Sequence, residues 1–385
     1  MATAELLLAI KTGNGYKGFS EEFYDSLVLG ETYAQLKKYE SVKFDPMVHL
    51  KFYSEDPIHK FNFNNTRRLT MEELGLTSKK QISHIGVLDP FPLFTTEAIE
   101  IMKQELLQKD LFLKYARLSY NSTSGTDCVV RGYAVDNGIV NTPFIHAAWT
   151  HPKTMELVSL MAGVELEIVF DYEIAHTNIA MTDEETALKE KESALARSVP
   201  QDVENIPAVV GWHRDSYPFV CVLMMSDTTN MVGGETALRM GDVTGNKFAV
   251  VPSPQSGHAC VLQGGLIEHI AQKPAGMTER ITMVTSYRPK DPLKYDSSNL
   301  KTVRPEINFG SIYNTFYPQW VKYRCQVAIK RLENVVENMT DEAGNFDKDS
   351  VTDLLSNVEE YVKDSYEEMK VSPLEWEKLR KKVGM

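Results

Sequence analysis

The pattern of apolar and polar positions changes character twice along the chain. Residues 1–90 are mixed, with a short helical stretch at Glu5–Lys11 and a Phe/Asn-rich loop at Phe61–Asn65. From Phe91 the helical period firms up. Thr95-Thr96-Glu97 supplies a cap ahead of Ile99, Met102 and Leu106, which predicts an amphipathic helix to about Lys109. Pro152 and Gly163 bracket a second helix over Pro152–Met161, with Pro in the first turn and Gly past the end. Beyond Gly163 the segments become short and apolar or alternating, at Leu166–Met181, Tyr217–Met225, Lys247–Val251, His258–Gln263 and Glu279–Arg288. Gly233-Gly234, Gly241, Pro252, Pro254 and Gly264-Gly265 punctuate them.

Many short strands at close spacing predict an α+β fold around an antiparallel jelly roll, not a parallel α/β sheet. Thr182–Arg197, a charged segment with helical propensity, interrupts the strands as a solvated insert or a mobile lid. The last stretch is helical. Pro318 suits the first turn of a helix carrying Val321, Cys325, Ala328, Leu332, Val335 and Met339 at alternating spacings of four and three. A second helix is expected at about Ser350–Lys370, and Ser372-Pro373-Leu374-Glu375 is a capping box opening a third. The chain thus divides into an N-terminal region 1–90, a core 91–300 and a helical extension 301–385. The extension's apolar faces predict packing on the sheet or, alternatively, a homodimer through the C-terminal helices.

Composition narrows the class. The 385 residues are 43% hydrophobic, enough for a sizeable core. With 41 basic against 53 acidic residues the net charge is −12, and no basic run appears, which argues against nucleic-acid and anionic-membrane partners. Met1–Ile10 has no basic flank and only a short apolar run, so neither a signal peptide nor a membrane span is expected. Cys128, Cys221, Cys260 and Cys325 lie far apart without a Cys-x-x-Cys, and two of them sit in apolar runs. Buried free thiols in a reducing, cytoplasmic setting follow.

The chemistry concentrates in Gly211-Trp212-His213-Arg214-Asp215-Ser216, read together with His269 and Arg280. Two imidazoles and one carboxylate can hold one face of Fe(II) and leave three positions open. Residues two apart on an extended segment point the same way, which lets His213 and Asp215 share an ion. The 54 residues from Asp215 to His269 allow the sheet to fold back and bring the second imidazole alongside. Arg280, Thr282, Val284 and Ser286 would share one face of a strand. A guanidinium facing a barrel interior is costly unless an anion meets it, either a dicarboxylate cosubstrate or an internal Asp or Glu.

His213-x-Asp215, Gly233-Gly234-Glu235-Thr236, His269 and Arg280-x-Thr282 together resemble the iron(II)/2-oxoglutarate-dependent dioxygenases, over roughly residues 165–290. The whole chain looks most similar to stand-alone fungal oxygenases of small-molecule metabolism, some of which oxidise free amino acids. The resemblance implies a double-stranded β-helix and Fe(II) at the catalytic residues His213, Asp215 and His269. It also implies 2-oxoglutarate anchored by Arg280 and Thr282, with O2 as the second cosubstrate. A polar residue from the strand before the first ligand is a further family feature, which makes Asn178, and next to it His176, candidates for the cosubstrate. Asp215 stands where halogenating relatives have a small residue, so hydroxylation, desaturation or cyclisation of a small molecule is implied instead.

Trp212 and Tyr217 are read as pocket walls or plain core, and Arg131, Arg239 and Arg288 as cations available to an anionic substrate or as surface arginines. Rival readings are a protein or peptide hydroxylase, a cupin-like metalloenzyme without 2-oxoglutarate, and a non-catalytic jelly-roll binding module. Gly13-Asn14-Gly15-Tyr16-Lys17-Gly18 matches a dinucleotide fingerprint only in its glycines, because no alternating βαβ pattern surrounds it. Asn345-Phe346-Asp347-Lys348-Asp349 lies between helices as a calcium loop would, but Ser350 and Ser356 stand where Gly and Glu are required.

Overall fold

The computed structural model describes residues 19–26, 37–39, 41–52, 61–118, 128–196, 208–241, 247–306 and 311–382. The helix expected at Glu5–Lys11 and the loop Gly13–Gly18 lie outside the described residues. In chain order the strands are β1 (Arg68–Thr70), β2 (Ile85–Leu88), β3 (Phe91–Pro92), β4 (Ala116–Leu118), β5 (Cys128–Val130), β6 (Val135–Asp136), β7 (Ile139–Val140) and β8 (Leu166–Ile168). They continue with β9 (His176–Met181), β10 (Ala208–His213), β11 (Phe219–Met224), β12 (Thr236–Arg239), β13 (Phe248–Val251), β14 (His258–Leu262), β15 (His269–Gln272) and β16 (Glu279–Pro289). The helices are α1 (Glu21–Ser26), α2 (Pro46–His49), α3 (Thr96–Leu106), α4 (Lys109–Tyr115), α5 (Pro143–Thr150), α6 (Pro152–Ala162), α7 (Glu184–Ala196), α8 (Tyr313–Glu337), α9 (Lys348–Glu367) and α10 (Pro373–Lys382).

Two antiparallel sheets form the centre of this α+β chain. The larger runs β1-β2-β14-β11-β16-β9-β5-β4, with β3 beside β14 and β8 beside β16; the smaller runs β10-β15-β12-β13. From β9 onward the chain crosses repeatedly between them, staying in the smaller sheet only from β12 to β13: β9, β11, β14 and β16 belong to the larger sheet, and β10, β12, β13 and β15 to the smaller. Period-two alternation then sorts the side chains. Phe219, Cys221 and Leu223 of β11, with Ile281 and Met283 of β16, pack beneath the helices against Met102, Trp149 and Val158. Val220 of β11 instead joins Leu262, Val87 and, from the smaller sheet, Leu238 and Val251. The inner faces of the two sheets therefore meet in one apolar cluster.

Local signals explain most of the helix ends. Thr95 Oγ1 accepts from Ala98 N at 3.3 Å and starts α3, whose Ile99, Met102 and Leu106 are buried. The helix stops at Leu106, three residues short of Lys109, because Gln108 turns extended (φ −56°, ψ 129°) and α4 begins anew. Gly163 closes α6 in the left-handed region at φ 69°, which only glycine adopts cheaply. The capping box is reciprocal: Ser372 N donates to Glu375 Oε2 at 2.7 Å and Glu375 N to Ser372 Oγ at 3.2 Å.

The C-terminal extension departs from expectation. Helix α8 starts at Tyr313, so Pro318 lies inside it rather than in its first turn. Of the six stripe residues only Ala328 and Val335 are buried; the inward face carries Phe316, Trp320, Tyr323, Arg324 and Val327. A charged residue within that face hides it from a hydrophobic pattern. Arg324 is satisfied by Asp296 at 3.0 Å and stacks on Tyr361 of α9, 3.6 Å from the ring centre. The insert segment is helical as α7, with only Ala187 buried and Glu190 paired to Lys273 at 3.0 Å. All four cysteines are free. Among the described residues no helix is long and apolar enough to cross a membrane.

Helix α5 has no side-chain cap of its own at Thr142. Glu105 of α3 supplies one from a distance, its carboxylate accepting from Phe144 N and Ile145 N, both at 2.9 Å. Burial pushes this carboxyl up from 4.5 to about 7, against the pull of the two N–H groups. The folded state therefore holds the proton more tightly than the unfolded chain. The contribution of Glu105 to stability falls as pH rises from 4.5 to about 7 and is level above that. Glu105→Ala should cost about 3 kcal/mol by stranding two buried donors, measured by urea unfolding. Glu105→Gln should flatten the pH dependence of the urea midpoint in that window.

Candidate functional site

Strand β10 ends at His213 and β15 begins at His269, and the antiparallel register sets these two residues opposite each other. Their rings lie 4.3 Å apart between centroids. Each Nδ1 lies against the carbonyl two residues upstream, Gly211 O at 2.7 Å and Ile267 O at 3.0 Å. An Nδ1–H donating to a carbonyl fixes the tautomer and leaves the Nε2 lone pair free, as metal-ligating imidazoles require. Asp215 is not on the strand, as the sequence pattern suggested, but in the turn beyond it, held by its N–H donating to Gly264 O at 2.9 Å. Its Oδ1 is 3.6 Å from His213 Nε2 and its Oδ2 3.7 Å from His269 Nε2.

These separations are too long for hydrogen bonds, and Asp215 Oδ2 is buried with no hydrogen-bond partner. Three ligand atoms within 4.8 Å of one another, two imidazoles and a carboxylate, could hold one metal ion. Burial alone would raise Asp215, but His269 and His213 hold it below the usual carboxylate range. Burial likewise opposes charge on His213, yet the Asp215 carboxylate outweighs it and raises that imidazole, while burial keeps His269 low. Gly264 makes the room. A Cβ there would sit 1.8 Å from Asp215 Oδ2.

The inner face of the larger sheet continues the site. Cross-strand register pairs His176 with Val284, Asn178 with Thr282 and Ala180 with Arg280. His176, Asn178, Ala180, Val284 and Arg280 each keep partial exposure although they point between two sheets. A cleft must therefore run along these rows. His176 is near enough to the triad for its charge state and that of Asp215 to influence each other, which places the triad at that end. Arg280 is four residues of extended strand away, about 13 Å.

Among the described residues Arg280 makes no ion pair or hydrogen bond, and its Nε is buried without a partner. Desolvation lowers it to about 10, so it remains a cation. The internal Asp or Glu considered as its counter-ion does not appear among the described residues. Thr282 is buried one row in from Arg280 beside Asn178, and Asn178 is the hydrogen-bonding neighbour of His176. Burial and the Arg131 cation keep His176 neutral, well below its ordinary value.

Other residues singled out from the sequence lie elsewhere. Trp212 alternates with His213 and so faces the opposite side of the sheet, against Phe248 and under Arg239. Arg239 pairs with Glu268 at 3.1 Å and Arg288 with Glu167 at 2.5 Å. Arg131 is fully buried and paired with Glu173, and Tyr217 donates to that same Glu173 Oε1 at 2.9 Å. Tyr217 belongs to an apolar cluster with Trp320 and Tyr323 of α8 rather than to a pocket wall. Ser216, between Asp215 and Tyr217, shares a hydroxyl contact of 2.7 Å with Thr302, and its carbonyl accepts from Asn299 N at 2.7 Å. Sequence reading missed Glu173 and treated Gly264 only as a turn signal. The pair Gly264-Gly265, five and four residues before the distal His, was the available clue.

No family model matches the chain, and no curated protein does. Among solved structures, a 2OG-Fe(II) oxygenase-family oxidoreductase from Burkholderia pseudomallei aligns at 16% identity and TM-score 0.28, over 42% of this chain and 65% of that one. A Pseudomonas putida prolyl-4-hydroxylase aligns at 13% identity and TM-score 0.30, over 51% and 88%. The non-heme alpha ketoglutarate dependent epimerase SnoN from nogalamycin biosynthesis aligns at 15% identity and TM-score 0.33, over 57% and 83%. At these values the likenesses carry no weight beside the chain's own strand order and side-chain geometry.

Gly264→Ala should leave the fold intact by circular dichroism yet weaken Fe(II) or Co(II) binding on the order of 100-fold, because the new methyl displaces the carboxylate. Calorimetric titration with Co(II) reads this directly.

Proposed function

We propose that this chain is an iron(II)- and 2-oxoglutarate-dependent oxygenase of a small molecule, built on a double-stranded β-helix. The division of eight successive strands, four to each of two facing sheets, supports that winding. The observation that carries the function is a metal-competent His213, Asp215 and His269 in one cleft with an Arg280 that has no carboxylate of its own. A buried guanidinium without a counter-ion is costly, and an anionic ligand removes the cost.

The charges also close. A ferrous ion, the Asp215 carboxylate, a dianionic keto acid and the Arg280 guanidinium sum to zero, which suits a cleft with few waters. When bound, iron with 2-oxoglutarate and dioxygen supplies oxidation of a substrate C–H bond, coupled to decarboxylation of the keto acid to succinate. The chain's own residues do the rest. His213 and His269 present Nε2 atoms already oriented by Gly211 O and Ile267 O, and Asp215 presents an oxygen that Gly264 leaves unobstructed. Arg280 takes the distal carboxylate, with Thr282 and Asn178 as hydrogen-bonding neighbours along the row. The triad side chains are recessed to between 9% and 25% exposure, which favours a slender substrate over a folded protein surface.

Anaerobic addition of Fe(II) and then 2-oxoglutarate should develop a visible charge-transfer absorption. In Arg280→Ala, Fe(II) binding should stay within about twofold while half-saturation by 2-oxoglutarate rises at least ~100-fold. A wild-type chain without the absorption, or a variant with unchanged keto-acid affinity, overturns the reading.

A further inference from the structure

Helix α8 has a second apolar face that no other element among the described residues covers. Its inward side is occupied by Phe316, Tyr317, Trp320, Tyr323 and Val327. On the outer side lie Val321, Cys325, Ile329, Leu332 and Val336, followed by Met339 just past the helix end, all exposed. Val336 is 66% and Ile329 54% exposed. From Cys325 onward the intervals are four, three, four, three, the 3.5-residue repeat of a helix seam meant for another helix. A helix packed only on its own domain needs no such second stripe.

We infer that this stripe is an isologous contact with a second copy of the chain, the two α8 helices lying antiparallel. The stripe is nearly palindromic about a point between Lys330 and Arg331. Reversal sets Ile329 against Leu332, Cys325 against Val336, and Val321 against Met339 of the second copy. Charge selects the same direction. Lys322 stands on one flank near the start of the stripe, and Glu333 and Glu337 stand on that flank near its end; none of the three makes an ion pair in its own chain among the described residues. In an antiparallel pair like flanks face each other, so Lys322 of each copy meets Glu337 of the other. A parallel pair would bring Cys325 against Cys325 and leave these charges without opposites. A shallow groove at the N-terminal end of the stripe, lined by Tyr313, Tyr317, Pro318 and Val321, receives the Met339 thioether, an adaptable side chain suited to an irregular apolar slot. The contact is small, one helix seam about 28 Å long, so the dimer should depend on concentration.

Sedimentation of the full chain over a concentration series should show a monomer–dimer equilibrium. Leu332→Glu, at an exposed position that leaves folding unaffected, should make it monomeric throughout. Lys322→Glu should raise the dissociation constant roughly tenfold through its two symmetric pairs, and Lys322→Glu with Glu337→Lys should restore it. Under mild oxidant, Val336→Cys should cross-link through native Cys325 while the wild type does not. A wild type that stays monomeric at all concentrations, a Leu332→Glu variant that still dimerises, or a wild type that cross-links through Cys325 overturns the proposal.

Discussion

The site depends on one backbone constraint, the pairing of β10 with β15. Neither strand is long, and neither His lies near the other in sequence, yet antiparallel hydrogen bonding sets residue 213 across from residue 269. A slip by one residue would turn one imidazole to the outer face, where Trp212 now packs. The outer apolar cluster opposes such a slip, since the same shift would separate Ala208 and Trp212 of β10 from Ile270 of β15 and Ala237. The candidate ligand geometry and the packing of that cluster thus share a single register.

Three buried or half-buried arginines show how differently a fold can use one side chain. Arg324 meets Asp296 and three aromatic rings and fastens the C-terminal helices to the strand-end loop. Arg131 meets Glu173 and fastens the edge of the larger sheet to the segment before β9. Arg280 meets no acidic group among the described residues. In the first two the desolvation cost is offset within the chain; in the third no acidic side chain among the described residues offsets it.

The candidate site was legible in the sequence for a physical reason. Metal chemistry needs particular residue types at positions that strands can align, and His213, Asp215, His269 and Arg280 stand out against few competing histidines. The longer strands were legible as apolar or alternating runs set off by Gly and Pro. Strands β12 and β15 escaped because four residues such as Thr236–Arg239 or His269–Gln272 carry too little alternation to register. The face of α8 was misread because its inward side holds Arg324 and large aromatics while its outward side is the more regular apolar stripe. Hydrophobic periodicity reports that a face is apolar, not what covers it. The support of Asp215 by Gly264 and the distant cap at Glu105 were invisible, since both arise from residues far apart in the chain.

The residues following Asp215 do not belong to the sheet core alone. Ser216 is tied to Thr302 and Asn299, and Tyr217 is packed on Trp320 and bonded to Glu173. One ligand of the candidate metal centre is therefore anchored, within two peptide units, to the helical extension. Any opening that frees the extension from the sheets slackens the carboxylate at the same moment, so ion retention and docking of the last helices belong to one cooperative unit.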